Sequence, residues 1–140
     1  MTRLDRVALT RRGQAIEQLL GEIAEASRGM SPALLRRDRR RGKDLCYTMI
    51  QTIQLALDMA EMVIAHQAWA PAETYAAIPT ELSQHGLIRR TLAGRMAEAA
   101  KFRNVLVHRY ADLDYALVLR HARSLPATVR AFVRALARRA

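Results

Sequence analysis

The sequence predicts an all-α fold, and three observations support that prediction. Apolar residues recur every three or four positions in several long segments, which is the spacing of one helix face. No segment alternates apolar and polar residues for long enough to predict a strand. Gly, Pro and Ser stand mainly at the ends of these segments. We therefore expect four or five helices joined by short loops, forming one domain over residues 1–140.

The first helix is predicted from about Leu4 to Ala26, followed by a turn over residues 27–32. Gly29 is interpreted as the stop signal that ends the first helix, and Ser31-Pro32 as the N-cap and first position of the next helix. The apolar stripe predicted for the first helix consists of Leu4, Val7, Ala15, Leu19, Ile23 and Ala26.

The longest and most apolar helix is predicted from Asp44 to about Trp69, and it carries two apolar sets. The first set is Cys46, Met49, Ile50, Ile53, Leu57, Ala60, Val63 and Ile64. The second is Leu45, Thr48, Thr52, Leu55, Met59 and Met62. A surface this wide suits the centre of a bundle, or a bundle that also dimerises. Asp58 lies within it and is interpreted as a satisfied acid, buried or half-buried, and not as a catalytic one.

Shorter elements complete the predicted bundle. A connector starts at Ala70, and residues 74–84 form a helical piece interrupted at Ile78-Pro79 and closed by Gly86. A third major helix follows from about Ile88 to Leu106. The last part is helical over residues 114–124 and 126–138, with a bend near Pro126.

Composition and charge indicate which partners and which cellular compartment to expect. The net charge of +10 favours polyanionic partners, nucleic acid first. Cys46 is the only cysteine, so no internal disulfide can form, which fits a reducing compartment. No apolar stretch approaches the ~20 residues of a membrane span, so we expect a cytoplasmic protein with no membrane contact. The basic run Arg36–Lys43 has two interpretations: a contact for phosphate or an acidic partner, or a solvated helix start that frays.

The segment Arg103–Tyr110 combines an apolar centre with Arg103, Asn104, His108 and Tyr110. Histidine exchanges a proton near neutral pH, and arginine binds phosphate through a fork of two donors. Five residues rotate a helix by about 140°, so Arg103 and His108 do not share a face of one ideal helix. They meet if the helix ends between them, or if a two-fold partner brings a second copy.

A two-fold dimer would place two copies of His108 in one cleft, each with Arg103 nearby. One imidazole can take the proton of a ribose 2′-OH while the other protonates the leaving 5′-oxygen, and the arginines hold the charged phosphorane. Asn104 can orient the imidazole or bind a phosphate oxygen. We predict no metal site, because Asp58, His66 and His85 lack partners at ligand spacing. This chemistry needs the 2′-OH and therefore predicts RNA cleavage.

The segment R-N-V-L-V-H-R-Y resembles the R-x-x-x-x-H-x-Y signature of HEPN-domain toxins of the HepT type, and the preceding Phe102 fits the same local pattern. Residues 56–60, 71–75 and 86–88 are similar to further landmarks of that family, in the same order. The resemblance covers roughly residues 44–136. It implies a HEPN-type helical dimer that acts as a metal-independent endoribonuclease toxin, without a cofactor, beside an MntA-type minimal nucleotidyltransferase antitoxin.

The resemblance also implies roles for single residues. Arg103 and His108 would be the catalytic pair, with Asn104 as the polar helper. Tyr110 would be the tyrosine that the antitoxin adenylylates from ATP, which would repel RNA from the cleft. We also expect Lys101 and Arg109, the basic residues of this segment, to bind RNA.

Two other functions stay open. A non-catalytic HEPN module would bind its nucleotidyltransferase and a nucleotide, although a scaffold has no need of both Arg103 and His108. A DNA-binding regulator is suggested by charge alone, and the sequence lacks helix-turn-helix spacing.

Overall fold

Six α-helices and one 3-10 helix make up residues 6–138, the part of the chain that our computed structural model describes. In chain order they are α1 (Arg6–Ser27), α2 (Pro32–Arg37), α3 (Arg39–His66), the 3-10 helix (Tyr75–Ala77), α4 (Ile78–Gln84), α5 (Arg90–His108) and α6 (Tyr115–Ala137). No β-strand occurs among these residues, so the all-α prediction is confirmed. Within the same range, no helix has the length and apolar character needed to cross a bilayer.

Helix α3 is the centre of the bundle and contacts α1, α2, α4, α5 and α6. Both apolar sets predicted for it are buried, apart from the half-buried Ile50, Leu55 and Met62. This burial arises because α3 packs against the other helices of the same chain. The wide apolar surface therefore marks the middle of the bundle.

The apolar stripe predicted for α1 is wrong, because the helix buries a neighbouring face. Its buried residues are Leu9, Ile16, Leu20, Ile23 and Ser27. Of the predicted stripe, only Ile23 is buried: Val7 and Ala15 are exposed, Leu19 and Ala26 are half-buried, and Leu4 lies outside the described residues. Both stripes have helical spacing, and packing against α3 and α6 selects the one that carries the larger side chains.

The basic run spans the end of α2 and the start of α3, two helices that both begin with a side-chain cap. Ser31 caps α2 by accepting the Leu34 N–H at 3.1 Å, as predicted. Asp38 then accepts the Arg41 N–H at 3.3 Å, and α3 begins at Arg39, several residues before the predicted start at Asp44. A carboxylate at an N-cap satisfies an otherwise unpaired amide and complements the helix dipole.

The remaining elements follow the prediction with one exception. The 3-10 helix ends at Ala77, α4 starts at Ile78 with Pro79 in its first turn, and Gly86 has φ of 74°. The exception is α6, which is a single helix through Pro126 instead of two pieces. Buried residues on both sides of this proline, Leu125 and Val129, hold the helix against the core, and Pro removes only one backbone donor.

Candidate functional site

The predicted catalytic segment forms the end of α5 and the start of the connection to α6. Helix α5 continues without interruption to His108, so Arg103 and His108 are separated by about 140° of helix rotation. Arg103 is half-buried on the α3 side, whereas His108 is exposed. The connection ends where Asp114 caps α6 by accepting the amides of Ala116 and Leu117. Within one chain, therefore, the two residues stay apart.

Arg103 is held by α3 and by its neighbour in α5. Its Nη2 donates to Oε1 of Gln54 at 2.7 Å, and its Nη1 donates to Oδ1 of Asn104 at 2.8 Å. Its guanidinium also lies over the ring of Tyr75, 5.3 Å from the ring centroid, a favourable cation–π distance. These three contacts restrict the guanidinium to one orientation before any substrate binds.

The residues that hold Arg103 are themselves fixed. The Tyr75 hydroxyl donates to Oδ1 of Asp58 at 3.0 Å and accepts from Nε2 of Gln54 at 3.1 Å. The pKa of Tyr75 is raised, first by burial and then by the hydrogen bond and the negative charge of Asp58. The phenol therefore stays protonated and donates at neutral pH. Asp58 is half-buried and paired, as predicted from its position in an apolar helix.

One donor in this cluster has no partner. Arg103 Nε is buried and makes no hydrogen bond with the described residues. An unsatisfied buried N–H costs about 1–3 kcal/mol, so this donor is available to an acceptor that the chain itself does not supply.

His108 lies on a different, exposed face of α5. Lys101, Val105 and His108 follow each other at intervals of four and three and are all exposed. Two valines add apolar area next to the histidine, since Val105 and Val107 are 37% and 38% exposed. Asn104 is exposed as well and is adjacent to this face. A solvent-facing strip with apolar and ionisable groups is suited to contact with another molecule.

Tyr110 and Arg109 extend the site beyond the helix. Tyr110 is 76% exposed, so its hydroxyl is accessible to another protein. Arg109 caps the end of α5, its N–H donating to the Val105 carbonyl at 2.8 Å, and it is exposed. The nearby thiol is not a nucleophile, because burial raises the pKa of Cys46 to about 11.

The sequence analysis did not identify the two residues that hold the predicted catalytic Arg103, which are Gln54 and Tyr75. A signal for Gln54 was present, because Gln54 and Asp58 are one turn apart and place two polar groups on one side of an apolar helix. Their partners are Arg103 and Tyr75, far away in sequence, and no local pattern indicates that pairing.

His66 and His85 lie outside this cluster. His66 is the last residue of α3, and His85 follows α4 with its ring stacked on Trp69 at a centroid distance of 3.9 Å. Across residues 6–138 there is no group of three His, Cys, Asp or Glu side chains arranged to hold a metal ion.

Comparison of the sequence with models of known protein families identifies the family of this chain. The model of the HepT-like ribonucleases matches residues 16–136, which includes all the residues of the Arg103 cluster and the motif. The chain belongs to the HepT-like ribonuclease family. The family resemblance read from residues 103–110 is thereby confirmed. A search of curated proteins found no match to this HepT-like chain.

Three solved structures share the fold of this HepT-like chain. A chain from the complex of a tri-AMPylated Shewanella oneidensis HEPN toxin with an MNT antitoxin aligns with a TM-score of 0.81 and 16% identity, covering 96% of this chain and 97% of that one. A tyrosine-to-alanine mutant of the MntA–HpeT toxin–antitoxin pair aligns at 0.80 and 16% identity, covering 91% and 95%. A toxin–antitoxin structure with AMP-PNP aligns at 0.73 and 16% identity, covering 97% and 99%. The HEPN-type bundle is thus confirmed.

Replacing Gln54 by leucine is expected to lower kcat for RNA cleavage on the order of tenfold, without an equal change in KM. Leucine removes the acceptor for Arg103 Nη2 but keeps the side-chain volume, so the guanidinium loses its fixed orientation. Single-turnover cleavage by purified protein measures this effect. Gln51→Leu on the same helix is the matched control and retains the wild-type rate. Equal rates for both variants would show that Gln54 does not position Arg103.

Proposed function

We propose that this HepT-like chain is a metal-independent endoribonuclease toxin that works as a two-fold dimer. The observation that carries the proposal is Arg103, a motif arginine held by Gln54, Asn104 and Tyr75, on the same helix as the exposed His108. A pre-oriented guanidinium stabilises developing negative charge without reorganising during the reaction. An exposed imidazole is accessible to RNA and to a second protomer.

The dimer follows from the separation of these two residues. Arg103 and His108 lie on different sides of one continuous helix, so a complete site needs more than one chain. The exposed face of α5 supports this arrangement, because Val105 and Val107 give it apolar area next to His108. We infer that two α5 helices meet near their C-terminal ends and bring both copies of His108 into one cleft.

The reaction is a transesterification within the RNA strand. One His108 accepts the proton of the ribose 2′-OH as O2′ attacks phosphorus, and the second, protonated His108 donates a proton to the leaving 5′-oxygen. The P–O5′ bond breaks, which leaves a 2′,3′-cyclic phosphate and a 5′-hydroxyl. Arg103 holds the phosphorane oxygens. Asn104 orients the imidazole or binds a phosphate oxygen directly. Lys101 and Arg109, both exposed, contact the flanking RNA phosphates.

The proposed partner is an MntA-type nucleotidyltransferase antitoxin that modifies Tyr110. Solved structures of the same fold include a tri-AMPylated toxin bound to an MNT antitoxin, and Tyr110 is highly exposed here. The Tyr110 oxygen would attack the α-phosphorus of ATP and release pyrophosphate. The new phosphodiester carries a negative charge two residues from His108, which repels the RNA backbone. RNA and ATP are both available in the cytoplasm, where we place this reaction.

The test is cleavage of total RNA by the purified protein in EDTA. We expect products with 2′,3′-cyclic phosphate ends, and no cleavage by the adenylylated protein. A folded, dimeric wild-type protein that cuts no RNA would overturn the proposal, and a non-catalytic module that binds its antitoxin would replace it.

Tyr110→Phe is expected to remove regulation and leave cleavage intact. The phenylalanine ring keeps the packing of the site but has no oxygen to accept adenylate. With antitoxin and ATP, mass spectrometry should show a gain of adenylate on wild-type protein and none on the variant, whose RNA cleavage persists. Tyr47→Phe, which removes the hydroxyl of another exposed tyrosine, is the control and is still modified. Adenylate gained by Tyr110→Phe would place the modification elsewhere.

A further inference from the structure

A groove of about 720 Å³ lies between the start of α3 and the connection from α5 to α6. We call it the basic groove, because its rim carries Arg36, Arg39 and Lys43. Its floor is apolar and includes Leu106 and the half-buried Ile50 and Leu113. Tyr110 lines the other side. The groove therefore joins the basic run of the sequence to the residues of the catalytic segment.

The three cations of the basic groove are not neutralised. No Asp or Glu lines the groove. Each of the three is exposed, and none is paired with a carboxylate of residues 6–138. Asp38, the acid next to Arg39, is already engaged by the backbone and guanidinium of Arg41. Clustered, unpaired cations around a concave surface attract a polyanion.

Exposed aromatic rings complete the chemistry of the basic groove. Tyr47 and Tyr110 are 62% and 76% exposed, and both line it. Two exposed aromatic rings on one concave surface provide flat apolar area that a base can stack on. Cations that follow a backbone and rings that stack on bases together form the usual surface for single-stranded nucleic acid.

One face of α3 connects the basic groove to the catalytic arginine. This face consists of residues spaced four, three and four positions apart, which are Lys43, Tyr47, Ile50 and Gln54. From Lys43 to Gln54 the helix rises about 16 Å. Gln54 is the residue that holds Arg103. A strand lying along this face would run from the three cations to the proposed scissile phosphate.

We propose that the basic groove binds the single-stranded RNA substrate beside the cleavage site, through phosphates at Arg36, Arg39 and Lys43 and a base stacked on Tyr47. This proposal rests on the proposed ribonuclease function and deepens it. An acidic surface of a protein partner is the other polyanion to consider. The concave shape, the exposed rings and the continuity with Gln54 and Arg103 favour RNA.

A second groove provides the comparison that makes this proposal testable. It is larger, about 1030 Å³, and Arg89, Arg95, Arg134 and Arg138 line it. No aromatic ring and no residue of the catalytic segment lines this second groove. If net charge alone attracted RNA, removing three arginines here would have the same effect as removing the three cations of the basic groove.

The experiment measures binding of a short single-stranded RNA to the dimeric His108→Ala protein across a series of NaCl concentrations. One variant adds Arg36→Gln, Arg39→Gln and Lys43→Gln, and the control adds Arg89→Gln, Arg95→Gln and Arg134→Gln. Each phosphate contact on a single strand contributes about −0.7 to the slope of log K against log salt. We expect the basic-groove variant to lower the magnitude of that slope by about 2 and the control to change it much less.

Two further measurements separate stacking from charge and RNA from protein. Tyr47→Ala should weaken RNA binding on the order of tenfold, and Tyr47→Phe should retain it, because stacking needs the ring and not the hydroxyl. The same triple substitutions, made in protein that retains His108, should raise the KM for RNA cleavage only when they lie in the basic groove. Binding to the antitoxin should be equal for both triple variants.

Each other outcome overturns the proposal in a recognisable way. Equal slopes for the two triple variants, with wild-type protein still cleaving RNA, would leave the ribonuclease in place and reject the basic groove as its substrate site. Loss of antitoxin binding with unchanged RNA binding would assign the basic groove to the protein partner. A wild-type protein that neither binds nor cleaves RNA would reject the groove together with the proposed function.

Discussion

His108→Ala lowers the rate of RNA cleavage by about 10²–10⁴-fold, which is the largest effect we expect from a single substitution. General acid–base catalysis by a positioned side chain contributes on the order of this factor, and both proton transfers of the proposed reaction use a copy of His108. The side chain is exposed, so its removal should change the free energy of unfolding by no more than about 0.5 kcal/mol. Single-turnover cleavage and urea denaturation measure the two quantities separately.

His85→Ala is the matched control for that experiment. His85 is an exposed histidine outside the motif segment, where its ring stacks on Trp69 and its Nε2 lies 4.0 Å from Oε2 of Glu81. We expect this variant to cleave RNA at the wild-type rate. A His108→Ala protein that retains the wild-type rate would remove histidine acid–base catalysis from the mechanism, whatever the control shows.

Arg103→Ala should lower kcat by about 10²–10³-fold, the effect of deleting one pre-oriented donor to a developing oxyanion. Arg103→Lys should recover little of this loss. Lysine is a flexible point charge without the planar fork, and it cannot bond Gln54 and Asn104 together while it binds a phosphate oxygen. Cleavage rates at saturating RNA measure kcat, since the expected defect is in the transition state.

Arg120→Ala controls for loss of positive charge. Arg120 is exposed on α6 and lies outside the catalytic segment and both grooves. It should leave kcat unchanged. Because Arg103 is half-buried, a melting curve for each Arg103 variant must accompany the rates. If folded Arg103→Lys cleaves RNA as well as the wild type, the fork geometry is unnecessary and charge alone suffices.

The contacts of Arg103 explain why Gln54→Leu and Arg103→Ala are expected to have effects of different size. Gln54, Tyr75 and Asp58 never reach the proposed phosphate in our scheme; they act through Arg103, by fixing its plane. Loss of such a residue is expected to lower kcat by misplacing a catalytic group, whereas in our proposal Arg103 itself supplies the stabilising charge. Gln54→Leu should therefore cost less activity than Arg103→Ala.

Much of the architecture could be predicted because it depends on local signals. Helical spacing of apolar residues predicted α3 and its burial, and side chains within one turn predicted the cap at Ser31 and the left-handed Gly86. The catalytic segment was recognisable for the same reason, since its residue types occur together over eight positions. The one phase error, in α1, arose where two stripes had the same period.

The sequence by itself determined the helical class, most helix ends and the family. The tertiary structure alone decided which face of α1 is buried, that the apolar surface of α3 is used within the chain, and that Gln54 holds Arg103 from 49 residues away. It also decided that the basic run and Tyr110 line one groove. Periodicity and capping act within a few residues, whereas these pairings depend on how distant helices pack, and no local pattern contains that information.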